Sequence, residues 1–526
     1  CFRIEGWASG YVVRAGQMGI CIDAAAGQWT ERIGQIGINR IGYVLATHHH
    51  RDTLASAGLL VRRGAALIGP AGEAELICRP EQFWQTARTY VLYNCGSEFF
   101  SLRDGVPVER AVADGEVLEL AGRRVQVIAL PGHTRGSVGY VIDLGPQRLV
   151  FVGDALSGPG WVHNWHDLHW GYMDFNTGAR ALREALSKVG QLKPSRLLPA
   201  HGAVIEEPDE ALERLDANLG RFIKAVEPNR QPRGYDEYRR ISEHVHYVGL
   251  TTYAIIADSG KGFFWDFGYV PATRQRLELL AEQAGLKQID VVSMSHYHDD
   301  HILRIAELAY AATGTDHAQG RGQIWCHQVL YDILRRPHAY RLPCLVPTPL
   351  PIDRVLGDER FEWEGIEMEM LHLPGQTYWH AGLIVRVDGR TMAFTGDNMW
   401  RPAEASRPIN GPIIARNRYL PGKGHDYSAR RLIERGVDMI CPAHGEPFIV
   451  RRAELEGYLS WAEEAARAIR ELAPMCPLGV DAWWCRVDPF HIHCRAGQRV
   501  PVAVVIDSPF DRPVKVAVEL CVPPGF

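Results

Sequence analysis

The chain has 526 residues, 46% hydrophobic and 23% charged, with a net charge of −5 when histidine is counted neutral. Its length exceeds one ordinary core and predicts two or more domains, and its mild acidity gives no electrostatic footprint for nucleic acid or an anionic membrane. The longest apolar runs, such as Val500 to Ile506, are strand-sized and too short to span a bilayer, so neither a nucleic-acid nor a membrane partner is expected.

Eleven cysteines, odd in number and without a CxxC pair, favour free thiols in a reducing compartment, and a cytoplasmic location is expected. The chain starts at Cys1 with no charged stretch leading into an apolar core, so no targeting segment is visible, although a missing start could have carried one.

Taken in order, Gly10 to Asp23 reads as short strands joined by a glycine turn, and Ile41 to Ala46 as a strand running into Thr47-His48-His49-His50-Arg51-Asp52-Thr53. Leu130-Pro131-Gly132-His133-Thr134 follows, then the apolar run Leu149 to Val152 ending in Gly153-Asp154, then Leu198-Pro199-Ala200-His201-Gly202. An amphipathic helix is expected over Glu210 to Val226 and a polar linker around Pro228 to Gly234. The order then repeats. Strands between Val248 and Asp266 turn at Asp258 to Gly262, and the run Ile289 to Met294 leads into Ser295-His296-Tyr297-His298-Asp299-Asp300-His301. A helix is expected over Ile302 to Ala312, followed by Leu373-Pro374-Gly375-Gln376-Thr377, Gly396-Asp397, Pro442-Ala443-His444-Gly445 and a closing helix from Ala453 to Leu472.

Spacing establishes the repeat. Positions 133 to 154 and 376 to 397 both span 21 residues, and positions 154 to 201 and 397 to 444 both span 47. The expected domains are 1–230, 231–473 and a β-rich module over 474–526. In that module Arg499 to Asp507 and Val514 to Val522 alternate as strands, like the opening of a β-sandwich cut short, with further domains expected beyond residue 526.

In the second copy His296 and His298, two apart on an extended backbone, point to one side and can chelate one metal, while Asp300 and His301 reach toward a second. Imidazole and carboxylate together suit zinc or iron. The ordered motifs HxHxDH, PGHT, GD and PAHG, found twice across residues 1 to 472, resemble those of the metallo-β-lactamase fold superfamily. That resemblance implies tandem αββα sandwiches of α/β class, each with one or two metals at the edge of its paired sheets. Zinc is the expected metal, with iron or manganese as alternatives.

Carried over residue by residue, the resemblance gives the second copy His296 and His298 for one metal and Asp300, His301 and His444 for the other, with Asp397 bridging. Gln376 stands where a third histidine belongs. Three readings stay open there: the carbonyl oxygen of Gln376 ligates, His380 substitutes for it, or the ligand is lost. The first copy is altered elsewhere. His48, His50 and His133 complete a three-imidazole set, whereas Asp52, Asp154 and His201 lack their last partner because Thr53 replaces it, and His49 points to the opposite face. The first copy holds one metal on this reading, or is a degenerate copy kept for packing and substrate shape.

The expected function is a hydrolase acting through zinc-activated water on an ester, thioester, lactone or amide of a small-molecule substrate, with Asp300 and Asp397 holding the metals and orienting the nucleophile. The alternatives are an iron oxygenase of sulfur compounds and a non-catalytic binding protein. Trp161 to Trp170, following the first GD motif, is expected to shape a pocket or pack between domains. Arg401, Arg407, Arg416 and Arg418 read as a solvated loop, Cys441 as a core thiol, and no phosphate-binding loop occurs.

Overall fold

The computed structural model describes residues 1–6, 8–25, 29–86, 100–170, 176–227, 237–270, 273–310, 322–340, 342, 344–402, 407–413, 423–474, 485–489, 492–506, 513 and 515–518. The linker expected at 228–234 and residues Arg416 and Arg418 lie outside that set.

Two large sheets form each copy. In the first copy, six strands run in sequence order from Phe2–Ile4 to Arg110–Val112, and five run in the order Arg196–Pro199, Gln147–Gly153, Val138–Leu144, Arg123–Ala129, Val117–Leu120. The second copy repeats the plan, with seven strands from Arg239–Arg240 to Arg354–Leu356 and six from Glu359–Trp363 to Phe448–Ile449.

Strand alternation explains the layers. Tyr11, Val13, Ile20 and Ile22 of one sheet meet Leu118, Val125, Val127 and Tyr140 of the other in a shared core. Their neighbours Val12, Cys21 and Val44 face outward against Leu54, Ala57 and Leu60 of the short helices Arg51–Leu54 and Ala57–Arg62. On the far side Ile128, Val150 and Val152 pack against Leu182 and Leu186 of helix Thr177–Gln191 and Leu215 and Phe222 of helix Pro208–Val226. Helix, sheet, sheet and helix are stacked in that order, an αββα sandwich.

The outer layers of the copies share a seam. Helix Arg452–Leu472 of the second copy puts Ala465, Ala468, Ile469 and Leu472 into the cluster that holds Leu215 and Phe222. Trp461 Nε1 donates to Ala225 O at 3.1 Å, Val162 N to Leu472 O at 2.8 Å, and Asn410 Nδ2 to Glu227 O at 3.2 Å.

Two expectations need correction. In place of one helix from Ile302 there are two, Asp299–Ile302 and Ile305–Tyr310. The segment that follows strand Lys261–Trp265 intrudes: Phe267 N donates to His301 O at 2.6 Å and Arg304 N to Phe267 O at 3.1 Å, which takes those groups out of the helical ladder. In the last module, Ala503–Ile506 pairs antiparallel with Cys485–Asp488, and residues 515–518, the described part of the second expected strand beyond its first residue, carry no strand.

Candidate metal centres

Each centre sits where strand ends of both sheets meet. Strand Gln288–Ser293, parallel to its neighbours on both sides, delivers Ser295 to His301 at its carboxyl end, as Arg40–Leu45 delivers Thr47 to Thr53. The other sheet supplies the distant residues. Gln376 and His133 lie in loops after Ile366–His372 and Arg123–Ala129, Asp397 and Asp154 end the strands Arg390–Gly396 and Gln147–Gly153, and His444 and His201 follow Met439–Pro442 and Arg196–Pro199. The two sheets approach so closely that a side chain at the glycine of either GD motif would collide. A Cβ on Gly153 (φ +54°) would lie 2.7 Å from Thr47 Oγ1, and one on Gly396 (φ +51°) would lie 2.7 Å from Ser295 Cβ.

In the second copy, donor atoms of His296, His298 and Asp397 fall within 4.8 Å of one another, and so do those of Asp300, His301 and His444. Asp397 lies between the two groups. Its Oδ2 is 3.9 Å from His296 Nε2, and its Oδ1 is 3.3 Å from His301 Nε2 and 3.4 Å from His444 Nε2. His444 Nε2 also stands 2.9 Å from Asp300 Oδ2. Gln376 is drawn into the cluster, its Nε2 donating to Asp397 Oδ2 at 2.6 Å while its Oε1 is buried without a hydrogen-bond partner among the described residues. His380 stacks behind His296, centroids 4.9 Å apart at 17°, with its Nδ1 3.3 Å from Asn398 Nδ2, and it belongs to neither donor group.

The first copy gathers His48, His50, His133 and Asp154, all buried, within the same 4.8 Å limit. Its three imidazole centroids are 4.6 to 4.9 Å apart, and Asp154 Oδ2 lies 3.5 Å from His48 Nε2 and 3.3 Å from His133 Nε2. The remaining positions are arranged differently from those of the second copy. His201 spans two carboxylates, with Nδ1 2.7 Å from Asp154 Oδ1 and Nε2 3.2 Å from Asp52 Oδ2. Thr53 turns its hydroxyl to His50 O at 2.9 Å, and the ring of His163 stacks on His201 at 3.9 Å.

Whether this donor set suits a metal can be judged from burial. Burial pushes His48 and His298 down to about 4, so both are neutral at pH 7, the form of imidazole that ligates. His48 Nε2 and Gln376 Oε1 are buried with no hydrogen-bond partner among the described residues. Unpaired buried donors and acceptors cost about 1–3 kcal/mol each, and a cation among these lone pairs satisfies them. The residues fit a divalent metal.

Sequence reasoning missed the supports. Asp266 accepts from Ser295 N at 2.6 Å and Ser295 Oγ at 2.9 Å, and its Oδ2 lies 3.0 Å from His301 Nδ1, which aims His301 Nε2 at the centre. Against the downward push of burial, Asp300, Asp266 and Asp397 together raise His301. Among the described residues the carboxylate of the counterpart Asp23 accepts only from Thr47, because Thr53 replaces the imidazole, and burial pushes that carboxyl up to about 8. Asp167 Oδ2 stands 3.5 Å from His133 Nδ1. The shared position of Asp23 and Asp266 at the end of a hairpin strand was a usable signal, and Asp167 and His163 lie within Trp161 to Trp170, the stretch expected to shape a pocket or pack between domains. A surface group of Glu243, His244 and Asp388 reads as an ion pair, with His244 Nδ1 2.6 Å from Asp388.

The sequence matches the profile of the Metallo-beta-lactamase superfamily over residues 9–201 and 247–444. Hydroxyacylglutathione hydrolase of Rhizobium meliloti (strain 1021) is 31% identical over 118 residues, 22% of this chain and 34% of the relative. A probable metallo-hydrolase of Burkholderia pseudomallei (strain 1710b) is 30% identical over 211 residues, 37% of this chain and 65% of the relative. The chain therefore spans between 34% and 65% of the length of these curated relatives. A solved metallo-beta-lactamase family protein from Thermus thermophilus is 19% identical, with a TM-score of 0.34, over 42% of this chain and 77% of its own.

Proposed function

As this chain belongs to the metallo-beta-lactamase superfamily, we propose that it is a metal-dependent hydrolase of a small acyl compound whose second copy holds a two-cation centre and whose first holds one. The observation that carries this reading is the pair of donor groups in the second copy, His296 and His298 on one side and Asp300, His301 and His444 on the other, with Asp397 between them. In the first copy Thr53, with its hydroxyl turned to His50 O, stands where the second copy has His301, and the donors that gather within one set are the three imidazoles and Asp154.

A divalent metal held by these residues, with zinc first among the candidates, would supply Lewis acidity and make water at the centre more acidic. The protein's own part is to fix geometry and move a proton. Ser295 and Asp266 hold the rings of His296 and His301, and Asp300, the more exposed of the two carboxylates at 25%, would take the proton of the attacking water. Water adds to the acyl carbon, the bond to the leaving oxygen, sulfur or nitrogen breaks, and that proton passes to the leaving group. Among ester, thioester, lactone and amide the thioester is the first to test, because several relatives are named hydroxyacylglutathione hydrolases. Domain limits near 230 and 473 belong to the same proposal.

The test combines metal analysis of protein purified without added metal with hydrolysis of a panel of the four acyl classes. About three zinc ions per chain and turnover abolished by His298→Ala or Asp397→Ala support the reading. Stoichiometric iron with no hydrolysis overturns it in favour of a redox enzyme, and the absence of both metal and turnover leaves a binding protein.

A further inference from the structure

Glu73 is a carboxylate with 3% exposure, set after strand Ala66–Pro70 at the head of the short helix Ala74–Cys78. No motif includes it, yet it reaches two of the loops that form the first centre. Its Oε2 accepts from His49 N at 2.8 Å and lies 2.6 Å from His49 Nδ1, while its Oε1 accepts from Gly136 N at 2.9 Å and from the Thr134 hydroxyl. One oxygen therefore serves the loop carrying His48 and His50, and the other serves the loop carrying His133. Among the described residues its only ion pair is with His49. The junction is tight as well: a Cβ on Gly136 would stand 2.6 Å from Glu73 Cγ.

The second copy braces the same two loops by other chemistry. Tyr297 occupies the place of His49 between the paired histidines, and Trp379 follows Thr377 by two residues as Gly136 follows Thr134. The rings of Tyr297 and Trp379 meet edge to face at 6.2 Å, with Tyr340 a further 6.1 Å from Trp379. A bridge between these loops thus occurs in both copies, polar in one and aromatic in the other.

We propose that Glu73 is a positioning residue that holds the three imidazoles of the first copy in register for a metal, which makes that copy a maintained centre and not a remnant kept for packing. The inference rests on the reading of His48, His50 and His133 as a metal set. A carboxylate shared between two loops fixes their separation, and residues that orient a first layer of ligands typically change metal affinity about 10- to 100-fold when lost.

The experiment is a Co2+ titration of the full chain, followed by visible absorption and chelator competition, with circular dichroism as a check on folding. His48→Ala defines which sites belong to the first copy. Glu73→Gln presents an amide nitrogen to donors on one of the two loops, and the expected result is a loss of about 10- to 100-fold in affinity at the His48-dependent site, with an altered absorption band there and no change at the remaining sites. Thr134→Val removes a single donor from Oε1 and is expected to weaken the same site by a smaller factor. Unchanged affinity and spectrum in a folded Glu73→Gln chain overturn the proposal. If that variant does not fold, unchanged binding in Thr134→Val overturns it instead. Should His48→Ala remove no cobalt, the metal reading of the first copy fails before the question of Glu73 arises.

Discussion

Asp23 and Asp266 occupy equivalent places, each donating its backbone N–H to the strand that leads into a centre, at 2.9 Å to Leu45 O and 2.9 Å to Ser293 O. The same change, aspartate to asparagine, should nevertheless act very differently at the two positions. Asp266 serves three groups: Ser295 N, Ser295 Oγ and His301 Nδ1. Asparagine keeps one acceptor oxygen. An amide nitrogen facing His301 Nδ1 forces the proton of that ring onto Nε2, toward Asp300 and Asp397, where it blocks ligation. Losing a hydrogen bond to a charged partner costs about 1.5–3 kcal/mol, or roughly 10- to 150-fold in affinity. Asp23 has no imidazole to hold, and with its carboxyl pushed up to about 8 by burial it is mostly protonated at pH 7. Asparagine there exchanges one neutral group for another, a change expected to stay under ~1 kcal/mol. Zinc titration of the full chain against a chromophoric chelator at pH 7 reads both. Equal losses in Asp23→Asn and Asp266→Asn, or no loss in Asp266→Asn, would refute the reasoning.

Three further outcomes are expected. His425 is buried, with Nδ1 2.7 Å from Tyr458 OH and Nε2 3.1 Å from Pro412 O, and burial pushes it down to about 4. The unfolded imidazole takes up its proton near 6.5 and the folded one only near 4, so stability present above pH 6.5 is lost as pH falls through that window, at about 1.36 kcal/mol per unit. Urea midpoints between pH 7 and 4.5 should show that slope reduced in His425→Gln. Trp461 stacks on Tyr458 at 5.6 Å and 15° and donates to Ala225 O. Trp461→Ala should cost about 3–4 kcal/mol by urea unfolding and Trp461→Phe about 1 kcal/mol; equal effects would mean the ring does not pack the seam. Finally, Gln376→His and Thr53→His together should raise the metal content per chain above wild type by elemental analysis, because Thr53→His restores an imidazole to the first copy's incomplete set while Gln376→His strengthens a set already proposed to hold a metal.

The candidate donor positions were legible because a metal centre of the kind proposed needs particular donor atoms at strand ends, and a duplicated chain shows the same spacings twice. The loss of a histidine at Gln376 and Thr53 could be read for the same reason. Glu73 could not, because nothing local distinguishes a glutamate ahead of a short helix. Its meaning comes from His49 and Gly136, brought to it by strand order. The helix expected from Ile302 was interrupted on a similar ground: apolar spacing at 302–312 is helical, but the competing backbone partner, Phe267, lies just after another strand, Lys261–Trp265. Pairing of Ala503–Ile506 with Cys485–Asp488 was equally invisible, since strand alternation specifies a face and not a partner.

The seam between helices Pro208–Val226 and Arg452–Leu472 makes this chain a dimer whose two subunits share one backbone. Leu215, Phe222, Ile469 and Leu472 lie in one core that belongs to neither copy alone. Expressed separately, each half would present an apolar stripe to water and would be expected to self-associate or aggregate. A proteolytic nick between residues 227 and 237, by contrast, would leave two fragments that stay together in gel filtration. The covalent connection sets which halves meet, and the seam is what keeps them joined.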